Sequence, residues 1–100
     1  MQINFHLNNA AKDYFTRFYC ILDEMIQGMT EVELTGSISH NFIVQMIPHH
    51  EGAVKMSENA LMFCTCPELI PILQSIITSQ KRGIMQMQQL LKCFRQLMIS

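Results

Sequence analysis

Helical periodicity is the strongest constraint this chain places on its own fold. Apolar residues recur at alternating spacings of four and three through three stretches, and none alternates at period two as a half-buried strand would. Ala11, Phe15, Phe18, Leu22, Met25 and Met29 define a first helix over about 10–29. Phe42, Met46, His49, Ala53, Met56 and Ala60 define a second over about 40–64, with Glu51, Lys55, Glu58 and Asn59 on its opposite side. Leu69, Leu73, Ile76, Gln80, Gly83, Met87, Leu90, Phe94 and Leu97 draw one seam along a third. That helix would span about 40 Å at 1.5 Å per residue.

The segments between are short. "QGMTEVELTGSIS" reads as a connector punctuated by Gly28 and Gly36, with Ser39 as N-cap of the second helix. "CTCPEL" is the next break, where Thr65 and Glu68 match the capping-box spacing and Pro67 suits a first turn. Pro71 fits less well, so the regular helix is expected to begin only there. Short connectors make neighbouring helices antiparallel. The expected fold is an all-α, up-down-up three-helix hairpin bundle with a long C-terminal helix, forming one domain over 1–100.

Composition sharpens this. Apolar residues make up 49% of the chain and charged residues 15%, below the roughly 25% of an average soluble protein. So small and lightly charged a chain carries more apolar surface than a monomer can hide, and a homodimer with six helices is expected. No apolar run approaches the roughly 20 residues needed to span a bilayer. The first residues show no basic segment or cleavage site of a secretory signal, which predicts a cytoplasmic location. A net charge of −1, with no basic cluster longer than Lys81-Arg82, recommends neither nucleic acid nor an anionic membrane as partner.

Nine methionines stand out against this background. They are either soft gap-fillers of the core or thioether ligands for a soft metal. Position favours the second role in "QMIPHHEGAVKM", where Met46, His49, His50, Ala53 and Met56 share an arc of about 120°. Both rings are expected to face the core or its edge, where an unpartnered imidazole nitrogen costs about 1–3 kcal/mol. A bound cation would satisfy both. Pro48 removes the donor to the Val44 carbonyl and should bend the helix just before the histidines. Gly52 costs about 1 kcal/mol relative to alanine in a helix, which suggests a bulky group approaching it closely. Thioethers with imidazoles suit Cu(I). Zinc would favour four Cys or His ligands at regular spacing, and di-iron several inward carboxylates. The eight acidic residues fall mostly on outward faces or in connectors.

"FIVQMIPHHEGAVKM" together with "IITSQKRGIMQM" resembles the domain-of-unknown-function family 305. The first half matches the family's double-histidine pattern at Phe42, Met46, Ile47, His49, His50, Ala53 and Met56. The second matches its glutamine pattern at Ile76, Ile77, Gln80, Ile84 and Met87, so the family-like region covers about 39–94. The resemblance implies a ferritin-like helical bundle and copper-type binding at Met46, His49, His50 and Met56, with Met87 and Gln80 across the helix interface. Where the family carries a glutamate this chain has Gly83. That leaves a softer ligand set.

The four cysteines make no disulfide framework. Cys64 and Cys66 form a possible secondary metal pair, while Cys20 and Cys93 are most simply small buried hydrophobes. Met25 and Met29 are expected in the core. His6 and His40 are expected to face solvent, and no cysteine or serine pairs with a histidine at a catalytic offset, so no enzyme is expected. The function expected is copper buffering, sequestration or delivery. The alternative is a metal-free helical assembly module whose histidines bond to backbone groups that Pro48 frees or to a partner chain. A di-iron redox enzyme comes third.

Overall fold

The structure, a computed structural model, describes residues 8–99. It consists of α1 (Asn9–Thr30), α2 (Ile38–Phe63) and α3 (Leu69–Ile99), with no strand among the described residues. His6 lies outside them.

Side chains with short polar groups set the helix starts. Asn8 Oδ1 accepts from the Ala11 amide at 2.8 Å, closing the first turn of α1. Ser37, rather than Ser39, caps α2, accepting from the His40 amide. Asn41 fixes the choice: its side chain donates to the Thr35 carbonyl at 2.7 Å and accepts from the Thr35 amide at 2.8 Å. That exchange ties the connector to the first turn of α2. His40 is therefore half-buried, with Nδ1 3.1 Å from Asn41 Oδ1, not solvent-facing as expected. The capping box at the α2–α3 break does not form either. Glu68 instead accepts from Cys66 Sγ at 3.3 Å, and the Leu69 amide reaches the Cys66 carbonyl. α3 starts at Leu69 and takes Pro71 into its first turn, where no intrahelical donor is required.

α2 runs unbroken through Pro48. It lies between the other two helices, packing against α1 on one flank and α3 on the other, and α1 and α3 do not touch among the described residues. The up-down-up bundle is therefore a layer, 59 × 29 × 14 Å. Its radius of gyration is 17.0 Å, against about 13 Å for a compact 100-residue domain.

Glycines set the flank against α1. A Cβ on Gly28 would meet Pro48 Cβ at 2.7 Å, and one on Gly52 would meet Met25 Sδ at 2.6 Å. Gly28 is thus an interior contact of α1 and not punctuation, because only a missing side chain lets the Pro48 ring approach so closely. Gly52 has the bulky neighbour its cost implied, namely Met25. Asn59, expected on the outer side, is instead 4% exposed and donates to the Tyr14 carbonyl at 3.1 Å. On the α3 flank, Ile43 and Val54 are buried, as are Leu73 and Leu91 on α3 itself.

The seam expected along α3 divides into two. Ile70, Leu73, Ile77, Gln80, Ile84, Met87, Leu91 and Phe94 form the buried or half-buried stripe, at heptad spacing. Leu69, Ile76 and Leu90 belong to a neighbouring stripe that stays exposed. α1 divides in the same way. Tyr14, Phe18, Ile21 and Met25 are half-buried, and Phe15 and Tyr19 lie outside. Cys20 and Cys93 are exposed, not buried as expected, because they fall on the outward sides of α1 and α3.

Candidate functional site

The two histidines directly follow Pro48 and its contact with Gly28, at the middle of the central helix. Adjacent residues on a helix diverge by 100°, so both rings cannot enter one seam. His50 turns toward α3 and is half-buried; His49 is exposed, contrary to the expectation that both face inward. Their ring centroids are 5.9 Å apart at an interplanar angle of 62°.

His50 is held in a defined state. Its Nδ1 lies 2.9 Å from the Met46 carbonyl oxygen. A carbonyl only accepts, so Nδ1 carries the proton and Nε2 of the neutral ring keeps its lone pair. The carbonyl that Pro48 strips of its donor is Val44's, two residues before Met46, so this bond is a separate anchor. A metal-ligating imidazole is commonly fixed through its other nitrogen in this way.

Across the interface the ring packs against Gly83 of α3. A Cβ on Gly83 would stand 3.3 Å from His50 Cδ2 and 3.6 Å from Nε2, so the missing side chain lets the ring edge seat directly on the α3 backbone. One turn earlier on the same stripe, Gln80 Oε1 is buried with no hydrogen-bond partner. One turn later, Met87 is half-buried on the stripe facing α2, whereas Met85 is 64% exposed. An imidazole lone pair, an orphaned amide oxygen and a thioether therefore line one seam. The imidazole and the thioether fit a soft cation, the amide oxygen is the harder donor of the three, and no carboxylate is offered.

The remaining candidates fall elsewhere. On α2, His50 and Val54 mark the α3 side and Pro48 and Gly52 the α1 side, about 160° apart at 100° per residue. Phe42, Met46, His49, Ala53 and Met56 fall between them on one broad face of the layer. Glu51, Lys55 and Glu58 fall on the other, where Lys55 Nζ pairs with Glu24 Oε2 at 2.9 Å. That pairing raises the Lys55 pKa, first through the hydrogen bond and then through the charge. Met46 lies at the edge nearest His50 and Met56 at the edge nearest α1. The expected six-residue set is thus split between the α2–α3 seam and the open face.

Cys64 and Cys66 stay close through the connector, the Cys66 amide donating to Cys64 Sγ at 3.4 Å. The Glu68 carboxyl is held below its usual range by a backbone hydrogen bond and by Cys66. Among the described residues no three His, Cys, Asp or Glu side chains gather at ligating spacing. Nor is any helix among them long and apolar enough to cross a membrane. Sequence reasoning missed the buried Asn59, whose Oδ1 also lacks a partner, and the Gly28–Pro48 contact. The position of Gly28 and Gly52 inside helical stretches was the available signal for the close α1–α2 approach.

No curated protein matches the chain. The family model described as a domain of unknown function, DUF305, matches residues 21–91. This span takes in the C-terminal part of α1 from residue 21, both histidines and the α3 stripe through Leu91. The chain belongs to the DUF305 family.

Proposed function

We propose that this protein binds copper, as Cu(I), or a similar soft ion in the α2–α3 seam, and serves in its buffering, sequestration or delivery. The observation that carries the reading is the state of His50: Nδ1 anchored to the Met46 carbonyl at 2.9 Å, with the ring's Nε2 edge lying against Gly83 of α3. His50, Gln80 and Met87 would hold the ion, with Met46 from the adjoining edge. A bound cation would satisfy the orphaned Gln80 oxygen. His49 and Met56 would act from the open face. Cys64 and Cys66 form a secondary candidate pair, and four free cysteines fit the reducing, cytoplasmic location we propose. The ferritin-like form that the family resemblance implies would need the open face of this layer to be covered, as in a dimer. We propose no nucleic-acid partner and no catalytic activity.

Thiolates bind Cu(I) tightly, so the test uses a variant with all four cysteines changed to serine. Competition for Cu(I) against a chromophoric chelator should show tight uptake that His50→Ala weakens at least tenfold. Equal uptake by the two proteins overturns the reading.

A second reading rests on the same hydrogen bond. A metal-free assembly module needs only the His50 ring locked to the backbone and an apolar face for a partner. It predicts no Cu(I) uptake in the cysteine-free variant.

A further inference from the structure

The exposed apolar stripes of the three helices lie on one side of the layer. On α1 the exposed residues follow the α2-facing ones by one position, Phe15 after Tyr14 and Tyr19 after Phe18. On α3 they precede them, Leu69 before Ile70, Ile76 before Ile77 and Leu90 before Leu91. The two helices run parallel on opposite flanks of α2, so rotations of +100° and −100° from α2 point to the same face. That face is the one holding Phe42, Met46, His49, Ala53 and Met56, while Lys55 and Glu24 mark the opposite side.

The chain as a whole leaves more surface open than a compact monomer does. The accessible surface is 7545 Å², against about 5,800 Å² for a compact monomer of this mass. A standard interface takes about 800 Å² per partner, and the layer offers 59 × 29 Å. A small ligand or a single helix would cover only part of such a face, whereas a second copy presents an apolar face of the same area.

We propose that a second copy of this chain closes the face as an isologous dimer, and that its two-fold axis passes beside His49 and Ala53. A two-fold relating two layers face to face lies in the plane between them, and residues at the centre meet their own copies. His49 and Ala53 are at the middle of the central helix, and the small Ala53 permits close approach. The two His49 rings, with Met46 and Met56 of both chains, thus form a shared imidazole–thioether cluster that one chain lacks. As a soft-cation site this cluster rests on the copper reading above; the dimer itself does not.

Metal-free protein in a chelating buffer should sediment at twice 11.6 kDa. Tyr19→Glu and Ile76→Glu, both at already exposed positions, should each yield a folded monomer by circular dichroism. Ala53→Cys, in the variant lacking the native cysteines, should cross-link to its own copy on oxidation. A monomeric parent overturns the proposal. So does a dimer that survives both glutamates, or one that Ala53→Cys fails to cross-link. Cu(I) titration of the Tyr19→Glu monomer separates the two readings, since uptake through the His50 seam persists there if only the dimer is wrong. In the dimer, His49→Ala should remove one Cu(I) per two chains, and unchanged stoichiometry overturns the shared cluster.

Discussion

Replacing Gly28 by alanine sets helix propensity against packing, and the structure fixes the outcome. Alanine gains about 1 kcal/mol over glycine in a helix interior. At Gly28, however, the new methyl would lie 2.7 Å from Pro48 Cβ. That atom belongs to a rigid ring inside α2, so relief requires the helices to move apart. Overpacking of this kind costs about 1–3 kcal/mol, leaving a net loss of up to about 2 kcal/mol. At Gly52 the closest atoms are Met25 Sδ at 2.6 Å and Cγ at 2.8 Å, which can swing away, although Met25 Cβ at 3.1 Å cannot. Gly83 meets only the edge of the His50 ring at 3.3 Å, so there the propensity gain is nearly retained. The predicted order of stability is Gly83→Ala at or above the parent, then Gly52→Ala, then Gly28→Ala. Thermal unfolding by circular dichroism at one protein concentration reads it, since 1 kcal/mol shifts the midpoint by about 4–8 °C in a domain this size. A Gly28→Ala protein as stable as Gly83→Ala would refute the close crossing of α1 and α2.

Gly83→Ala should nonetheless weaken Cu(I) uptake, measured by chelator competition, because the added methyl occupies the space beside His50 Nε2. Removing the Lys55–Glu24 pair with Glu24→Gln should cost no more than about 0.5 kcal/mol in urea unfolding, because both side chains are more than half exposed. Its contribution should be present below the ordinary lysine range, fade as pH rises through the raised Lys55 pKa, and disappear in 1 M salt. Asn59→Asp should destabilise far more than Asn59→Ala at pH 7, because it buries a charge at a position 4% exposed. Burial raises that carboxyl's folded pKa, so the penalty should shrink as pH falls from that raised value toward about 4, the ordinary aspartate range, and be gone below it.

The three helices and their order were legible because spacings of four and three leave no other regular structure open to these stretches. The caps were harder. Ser37 and Ser39 both suit an N-cap by chemistry, and only the Thr35–Asn41 bonds decide between them. The apolar face of α2 was also legible; what covers it was not. Periodicity says that Phe42, Met46, His49, Ala53 and Met56 share a side, but it cannot say that both neighbours pack on the flanks and leave that side open. For the same reason the α3 seam was drawn across two stripes, since apolar residues occupy both. The double histidine was visible at once. Its division into one ring in the seam and one on the face follows from the 100° step between neighbours, once the position of α3 is known.

The central claim is that His50 Nε2 is a lone pair set to meet a soft cation. X-ray absorption on the Cu(I)-loaded, cysteine-free protein tests this most directly. The account predicts nitrogen and sulfur neighbours together, with the nitrogen contribution reduced in His50→Ala. A spectrum that is the same in the parent and in His50→Ala would contradict it.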